Sequence, residues 1–306
     1  MSSRTLGRRS AHRAGAVHDG ALLEVDRVVV QFGGVTAVNE AQFTADPGTV
    51  TGLIGPNGAG KTTCFNVISG LQKPTRGTVR FQGKDVSSMP VHRRSKRGMG
   101  RTFQRLEAFG SLSVRDNVKV AADIHRGVLA GFLPGSHGKN IDALLERVGI
   151  AAYADERADS IPTGTARMLE LARCLAGDPQ LLLLDEPSSG LDETETDTFG
   201  ELLRDLASEG RAILMVEHDM DLVMAVCDVI HVLDFGSIIA SGDPAAVRRD
   251  PAVQKAYLGY SDEDDDPAAT DVTLTDLAPV PAGVGPSSSS VEETTVIPTV
   301  PQEGGR

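Results

Sequence analysis

The sequence predicts an α/β fold built on a mainly parallel sheet with covering helices. Two observations support that prediction. The second half of the chain alternates apolar strand segments with helix segments, and its run LLLLDE at 181–186 is apolar enough for a strand buried on both faces. A glycine-rich turn at 55–63 joins a predicted strand to a predicted helix. Strand-helix alternation of this kind is typical of parallel strands joined through helices.

The first third of the chain is predicted to form strands around one helix. The strand segments are rich in apolar and β-branched residues and are separated by turn residues such as Pro47-Gly48. The predicted strands are 22–32, 41–46, 49–54 and 78–82. The helix is expected to run from Lys61 to Ser69 and to end at Gly70.

The middle of the chain has few strand signals. Two helical segments, 113–125 and 141–150, are separated by a predicted loop over 128–140. We therefore expect a helical subdomain over about 91–177.

The second half has the regular alternation. Its predicted helices are 165–176, 193–209, 219–226, 244–249 and 252–258. Its predicted strands are 181–186, 212–217, 229–235 and 237–242, the last two forming a pair.

The two ends of the chain differ from the rest in charge. Residues 1–20 carry four arginines and one acidic residue, whereas residues 261–306 carry ten acidic residues and one arginine in a segment without aromatic residues. Such a tail buries too little apolar area to offset its ordering entropy. We expect a flexible arm over 1–20, one domain over 21–260 and a disordered acidic tail over 261–306.

Composition argues against several classes of protein. A hydrophobic content of 40% is enough for a sizeable core, and no apolar run is long enough to span a membrane. The three cysteines lie far apart, which excludes a disulfide framework and a local zinc cluster. The net charge of −12 argues against nucleic acid as a partner, because binding it requires a basic surface.

The strongest motif is GPNGAGKTT at 55–63, which fits the pattern G-x-x-x-x-G-K-[ST]. Glycines allow backbone N–H groups to turn toward phosphate oxygens, and the N-terminus of the following helix adds partial positive charge. Lys61 can reach the β- and γ-phosphates of a nucleotide, and the Thr62 hydroxyl can bind Mg²⁺. The predicted nucleotide-binding residues of this loop are Gly55, Pro56, Asn57, Gly58, Ala59, Gly60, Lys61, Thr62 and Thr63.

Two carboxylates, Asp185 and Glu186, end the apolar run at 181–186. An acidic pair after a strand is often only a solvated turn. Beside a phosphate loop, however, Asp185 would hold Mg²⁺ through water, and Glu186 would orient or deprotonate the attacking water. The phosphate loop earlier in the chain favours this second interpretation.

These two motifs and four further segments resemble the ATP-binding subunits of ABC transporters. The resemblance covers about residues 22–260. It implies a P-loop NTPase of the ABC ATPase type, in which the mainly parallel core sheet is joined by an antiparallel β portion and a helical subdomain. The four further segments are QFGG with Phe32, RTFQ with Gln104, SSGLD at 188–192 and VEHD at 216–219.

The resemblance also implies roles for single residues. Phe32 corresponds to the aromatic residue that stacks on adenine, and Gln104 to the glutamine that touches Mg²⁺ and couples to a membrane partner. His218 corresponds to the residue that contacts the γ-phosphate, and Asp192 lies at the seam of the ATPase dimer. Taken singly, Phe32 fits a core position and His218 the start of a helix, but their order around the phosphate motifs favours function.

One segment departs from the family. The usual signature is L-S-G-G-Q, whereas this chain has IPTGT at 161–165, with Gly164 retained among the nucleotide-binding residues. The family places this segment on the γ-phosphate bound by the other subunit. Pro162 offers neither hydroxyl nor N–H, a loss of about 1.5–3 kcal/mol. Either the site using IPTGT is the weaker one in an asymmetric heterodimer, or backbone amides suffice and both sites work.

The subfamily is indicated by three longer segments, which begin at FGGVTAVNE, RTFQRLEAFG and DFGSIIASGDP. They resemble the ATPases of branched-chain amino-acid importers. That resemblance implies ATP and Mg²⁺ as cofactors, a second ABC ATPase subunit, two transmembrane permeases and an extracytoplasmic substrate-binding protein. It also implies peripheral attachment at the cytoplasmic face of the membrane.

Other functions stay open at this point. Importers for urea and short amides share the pattern, and an export or lipid-extraction system would use the same ATPase. A soluble ABC ATPase acting on DNA or ribosomes usually has two nucleotide domains or a coiled-coil insertion, and neither is evident in this sequence. A regulatory nucleotide binder without catalysis is disfavoured by Glu186 and His218.

Overall fold

The computed structural model describes residues 20–102, 107–126 and 137–258. The strands in this part of the chain form two sheets. Sheet A is antiparallel, with the order β2-β1-β4-β5, and sheet B has six strands in the order β10-β9-β3-β8-β7-β6. The strands are β1 (Leu23–Phe32), β2 (Val35–Ala45), β3 (Val50–Ile54), β4 (Arg76–Phe81), β5 (Lys84–Asp85), β6 (Met99–Arg101), β7 (Leu181–Asp185), β8 (Ala212–Val216), β9 (Val229–Asp234) and β10 (Ser237–Gly242).

Helices follow most strands of sheet B, as expected where parallel strands need crossover connections. A 3₁₀ turn, Ala151–Tyr153, lies between two of the helices. The helices of the described residues are α1 (Lys61–Ser69), α2 (Val91–Lys96), α3 (Val114–Arg126), α4 (His137–Arg147), α5 (Thr163–Leu175), α6 (Glu193–Ser208), α7 (Met220–Val226), α8 (Pro244–Arg248) and α9 (Pro251–Leu258).

Sheet B is parallel except at one edge. Strand β3 pairs in parallel with both β8 and β9, β7 pairs in parallel with β8 and β6, and only β10 runs antiparallel, against β9. The carboxyl ends of β3, β7 and β8 therefore meet at one edge of the sheet. Ligands of open α/β sheets bind at such an edge.

Strand β7 explains why the core is divided between two faces. Its four leucines are fully buried. Because side chains alternate along a strand, two of them belong to the core on one face of the sheet and two to the core on the other. Leu181 and Leu183 pack between the sheets with α1, whereas Leu182 and Leu184 pack toward α5, α6 and α7. The continuous apolar run in the sequence is thus the signature of a strand with both faces covered.

A buried arginine fixes the end of helix α1. The Arg94 guanidinium donates to the carbonyl oxygens of Val67 and Ile68, at 2.7 and 2.5 Å, and to that of Met89 at 2.8 Å. These carbonyls include acceptors that the end of a helix leaves without helical partners. Burial lowers the pKa of Arg94 to about 10, with Asp85 acting in the opposite direction. The helix that begins at the phosphate loop is therefore held firmly at its other end.

The predicted fold class is confirmed, with local differences. Strand β2 begins at Val35 rather than at residue 41, because the β1–β2 hairpin pairs up to its turn. Helix α2 begins at 91, the predicted start of the helical subdomain, and leads directly into β6, which extends sheet B beside β7. Strand β6 has three residues, too few for a period to be recognised.

Parts of the prediction lie outside the described residues. These are the tail over 261–306, the arm except for Gly20, and residues 128–136 of the predicted loop. The remainder of that loop, from His137, belongs to helix α4. No helix in the described ranges is long and apolar enough to cross a membrane.

Candidate active site

The phosphate-binding loop lies between the end of β3 and the start of α1. Its three glycines have positive φ angles, 150° at Gly55, 82° at Gly58 and 105° at Gly60. A Cβ atom on Gly55 would lie 1.9 Å from the carbonyl oxygen of Leu233, and one on Gly60 would lie 2.4 Å from that of Ala37. Glycine is required at both positions, because any side chain would push the loop away from its neighbours.

Lys61 begins α1 and folds back over the loop. Its Nζ donates to the carbonyl oxygens of Gly55 at 2.6 Å and Pro56 at 3.0 Å. Burial lowers the pKa of Lys61, whereas the charges of Glu186 and Asp185 act to raise it. The ammonium group therefore lies within electrostatic reach of the two carboxylates that end β7.

The start of α1 is open to a ligand. Gly60 is the N-cap residue and makes no capping bond through a side chain, and the first turn holds no acidic residue. Thr62 is exposed and Thr63 is half-buried, while Asn57 and Gly58 are exposed on the loop. Uncapped N–H groups and the helix dipole favour an anion at this place.

The back of the loop is tied to both sheets. The carbonyl oxygen of Ala59, which is buried, accepts a hydrogen bond from the amide of Gly236 at 2.9 Å. The carbonyl of Gly236 in turn accepts from the amide of Asn39 on β2, at 2.8 Å. The turn between β9 and β10 thus holds the loop against sheet A.

Phe32 lies at the end of β1, where Phe32 pairs with Val35 across the hairpin turn. Its side chain is half exposed rather than part of the core. Strand β2 continues from this hairpin to Ala37, whose carbonyl oxygen borders Gly60. The exposed ring at the tip of this hairpin has the flat apolar surface that an adenine base would stack on.

Asp185 ends β7 and pairs with a buried arginine. Arg101 Nη2 lies 3.0 Å from Asp185 Oδ2, and both side chains are almost fully buried. Arg101 Nη1 also donates to Asn66 Oδ1 at 2.8 Å and to Ser69 Oγ at 2.7 Å on α1. Burial lowers the pKa of Arg101, and its bond to Asp185 acts to raise it. This arginine holds the carboxylate against the phosphate-loop helix.

Arg101 is a site residue that the sequence did not predict. The residue is the first of the RTFQ segment, at the end of the unpredicted strand β6. Without that strand, nothing in the sequence placed an arginine next to the acidic end of β7.

Glu186 and His218 are brought together at the same edge. They follow β7 and β8, which pair in parallel with Asp185 opposite Val216. His218 Nε2 lies 2.7 Å from Glu186 Oε1. Glu186 adopts a positive φ of 49°, an uncommon conformation for a residue with a side chain and one that often marks functional sites.

The signature segment lies at the start of α5, with Pro162 as its N-cap residue. Gly164 is buried, and a Cβ atom there would lie 2.8 Å from Oε2 of Glu195. Glu195 forms a capping box with Asp192, which is exposed and begins α6. The structure therefore sets Gly164 against the SSGLD segment and α6. Gln104 is outside the described residues.

Comparison with protein families gives two matches. The ABC transporter family matches residues 38–189. The branched-chain amino acid ATP-binding cassette transporter family matches residues 237–263, at the carboxyl end of the domain.

Curated relatives cover most of the chain. The high-affinity branched-chain amino acid transport ATP-binding protein LivG of Escherichia coli (strain K12) is 38% identical over 249 residues, covering 78% of this chain and 98% of the relative. BraF of Pseudomonas aeruginosa, which bears the same description, matches to the same extent. The lipopolysaccharide export system ATP-binding protein LptB of Haemophilus influenzae is 30% identical over 239 residues, covering 78% of this chain and 98% of the relative.

Solved structures give the same result for the fold. A nucleotide-free ATP-binding cassette from an ABC transporter superposes with a TM-score of 0.70 at 27% identity, covering 78% of this chain and all of that one. An ATP-binding cassette of an ABC transporter in its ADP conformation has the same TM-score and identity, covering 78% of this chain and 99% of that one.

Proposed function

The chain belongs to the family of ABC transporter ATP-binding subunits, and we propose that it hydrolyses ATP at the Lys61, Glu186 and His218 site to power the import of branched-chain amino acids. The observation that carries the hydrolytic role is the 2.7 Å contact between His218 Nε2 and Glu186 Oε1. Glu186 supplies a carboxylate that can act as a base, and His218 can hold that carboxylate in place at the open end of the phosphate loop.

The proposed chemistry assigns each group one task. The uncapped N–H groups at the start of α1 and the Lys61 ammonium bind the β- and γ-phosphates and neutralise charge that builds up during transfer. Glu186 orients the attacking water and takes up its proton. His218 contacts the γ-phosphate and holds the carboxylate of Glu186. The half-exposed ring of Phe32 stacks on adenine.

Magnesium fits the oxygen donors of the site. Mg²⁺ binds one or two protein oxygens together with phosphate oxygens and water, so it needs no cluster of acids. In the described residues, no group of three His, Cys, Asp or Glu side chains is arranged to hold a metal. Thr62 offers a hydroxyl and Asp185 a carboxylate, with Gln104 as the third predicted contact. Magnesium, when bound, stabilises the charge of the transferred phosphate.

The cargo is assigned from the relatives. LivG and BraF, at 38% identity, are named for branched-chain amino acid transport, and the family matched at 237–263 is named for the same cargo. The lipopolysaccharide export relative LptB is less similar, at 30%. Similarity therefore favours import of branched-chain amino acids over export, with urea and short amides as the alternative cargo.

The permease partners would dock at a groove between sheet B and the helical subdomain. A cavity of about 250 Å³ lies there, and its lining includes Thr102 and Glu107. Its charged lining includes Arg94, Glu107, Glu170 and Arg173. Docking two permeases in this way attaches the ATPase peripherally to the cytoplasmic face of the membrane, and an extracytoplasmic binding protein delivers the cargo.

We further propose a second ABC ATPase subunit as the partner in the nucleotide sandwich. Pro162 stands where the family has a serine, and it offers the γ-phosphate of the opposite ATP no hydroxyl. The site completed by this chain's signature would be the weaker of two. Glu186→Gln in this chain, compared with the matching change in the partner, tests the asymmetry through ATP turnover. Equal losses would count against it.

Reconstitution tests the whole function. The chain is purified with its proposed permeases and second ATPase subunit, and the complex is placed in vesicles with ATP inside and binding protein outside. We expect uptake of labelled leucine that Lys61→Ala abolishes. Uptake of labelled urea in place of leucine would show that the cargo is urea or a short amide. ATP turnover without uptake of either compound would contradict the proposal that the complex imports amino acids or amides.

A further inference from the structure

Glu217 is a buried carboxylate of the VEHD segment to which the resemblance assigns no role. It follows β8 and immediately precedes His218, and its side chain is only 3% exposed. Burying a carboxylate is unfavourable unless hydrogen bonds replace the lost water. Glu217 lies between the end of β8 and His218, so the donors that hold it also affect where His218 is placed.

The two oxygens of Glu217 bind two different loops. Oε1 accepts from the backbone amide of Ser188 at 2.7 Å, and Oε2 accepts from the backbone amide of His218 at 3.0 Å. Ser188 stands two residues after Glu186, on the loop that leaves β7. One carboxylate therefore joins the loop that carries the proposed base to the loop that carries the histidine.

This arrangement requires two acceptor oxygens on the side chain, one for each amide. A carboxylate has two acceptor oxygens, whereas a glutamine amide has one oxygen and an NH₂ group that only donates. In Glu217→Gln one backbone N–H, of Ser188 or of His218, would therefore face another donor. Burial raises the pKa of the Glu217 carboxyl, while hydrogen bonds from Ser188, His218 and Asp219 act to lower it.

We propose that Glu217 is a positioning residue that holds His218 and Glu186 in register for ATP hydrolysis. Glu217 would contact neither nucleotide nor water itself. By clamping the Ser188 and His218 amides, it would fix the two loops whose side chains meet at 2.7 Å. The inference rests on the proposed hydrolysis at Glu186, and it adds a structural cause for the alignment of that site.

Asp228 supplies a matched control. Its Oδ2 accepts from the backbone amide of Val50 at 2.8 Å, so it also holds a strand end through a carboxylate. Asp228 precedes β9, at the opposite edge of sheet B from the phosphate loop. Asp228→Ala removes the same kind of bond as Glu217→Ala without touching the site.

The first test is ATP turnover by the assembled transporter. In Glu217→Ala we expect kcat to fall about tenfold to a hundredfold, the scale of a small misplacement of reacting groups. The ATP dissociation constant should change less than about twofold, because Lys61 and the phosphate loop are intact. Glu217→Gln should lose less, since it keeps one acceptor. Asp228→Ala should keep the wild-type kcat, whatever its melting temperature.

The second measurement does not depend on catalysis. Native-state hydrogen exchange should show faster exchange of the Ser188 and His218 amides in Glu217→Ala, and unchanged exchange of both in Asp228→Ala. A Glu217→Ala protein with wild-type kcat, or with unchanged exchange at both amides, would overturn the positioning role. Absence of ATP turnover in the wild type would contradict the proposed function instead, and the exchange data would still test the clamp.

Discussion

His218 Nε2 and Glu186 Oε1 lie 2.7 Å apart, although the two residues are separated by most of a strand-helix-strand unit. Parallel pairing of β7 with β8 produces this contact. It sets Asp185 opposite Val216, so the chain segments that carry Glu186 and His218 leave the sheet side by side. The His218 side chain is 48% exposed and that of Glu186 is 22% exposed, so both can be reached by a ligand at the phosphate loop. The contact therefore depends on the register of the central sheet as much as on either side chain.

His218→Ala should lower ATP turnover by about a hundredfold or more, the scale of losing a group that aligns a general base. ADP affinity should change little, because ADP lacks the γ-phosphate that His218 is proposed to contact. Steady-state ATPase assays of the assembled complex measure turnover, and titration with ADP measures affinity. His92→Ala, an exposed histidine on α2, serves as the control. Equal turnover in both variants would mean that the contact with Glu186 has no catalytic role.

Gly60→Ala should abolish nucleotide binding and destabilise the fold. The new Cβ would lie 2.4 Å from the Ala37 carbonyl oxygen, a backbone atom that cannot move aside. Gly83→Ala is the matched control, because Gly83 also has a positive φ, of 68°, but opens onto free space. That control should lose only about 1 kcal/mol, from the left-handed conformation alone. Urea denaturation and nucleotide titration compare the pair, and similar losses in both would contradict the steric argument.

Arg101→Ala should lower the free energy of unfolding by about 3–5 kcal/mol, because it leaves the buried Asp185 without its cation. Arg101→Lys should lose less stability than Arg101→Ala, because it keeps the positive charge. It should still lose some, because a lysine ammonium cannot reach all three acceptors together. The control is Arg80→Ala, whose 3.7 Å pair with Glu24 is solvent-exposed on the arginine side and worth about 1 kcal/mol or less. Denaturant unfolding measures all three variants. An Arg101→Ala loss no larger than that of the control would refute the bracing role.

His231 should make stability depend on pH. Burial lowers the pKa of this histidine from 6.5 to about 4, with a backbone bond to Thr44 acting in the opposite direction. Between these two pH values the unfolded chain binds a proton that the folded chain does not. Stability is therefore complete above pH 6.5 and falls as pH drops toward 4, by up to about 3 kcal/mol.

Denaturant unfolding from pH 7 to pH 4.5 measures this loss. His231→Gln cannot take up the proton. The difference in stability between wild type and variant therefore separates the contribution of His231 from that of titrating carboxylates. Curves for wild type and variant that run parallel over this range would show that His231 is protonated as readily in the folded state.

Much of the architecture was predictable because its signals are strong and local. The leucines of β7 mark a strand buried on both faces, and the glycines around Lys61 are dictated by backbone angles that other residues avoid. Strand β6 was not predictable, because three residues carry no period. Its place in the sheet is decided by pairing with β7, a contact between distant parts of the sequence.

The candidate site divides in the same way. Residues in the phosphate motif and at the ends of apolar strands could be identified from order and spacing. The roles of Arg101 and Glu217 could not be identified, although both lie in the quoted segments RTFQ and VEHD, because those roles depend on the distant partners that they bind. Arg101 reaches Asp185, and Glu217 reaches Ser188, only after the sheet has formed.

The central claim is tested most directly by ATP turnover of the complex carrying Glu186→Gln. The substitution keeps the size of the side chain but removes the base, so we expect bound ATP to be retained while turnover falls at least about a hundredfold. Lys61→Ala, measured beside it, should lose both binding and turnover. Wild-type turnover in Glu186→Gln, with magnesium and the partner subunits present, would contradict the assignment of the catalytic base and the account built on it.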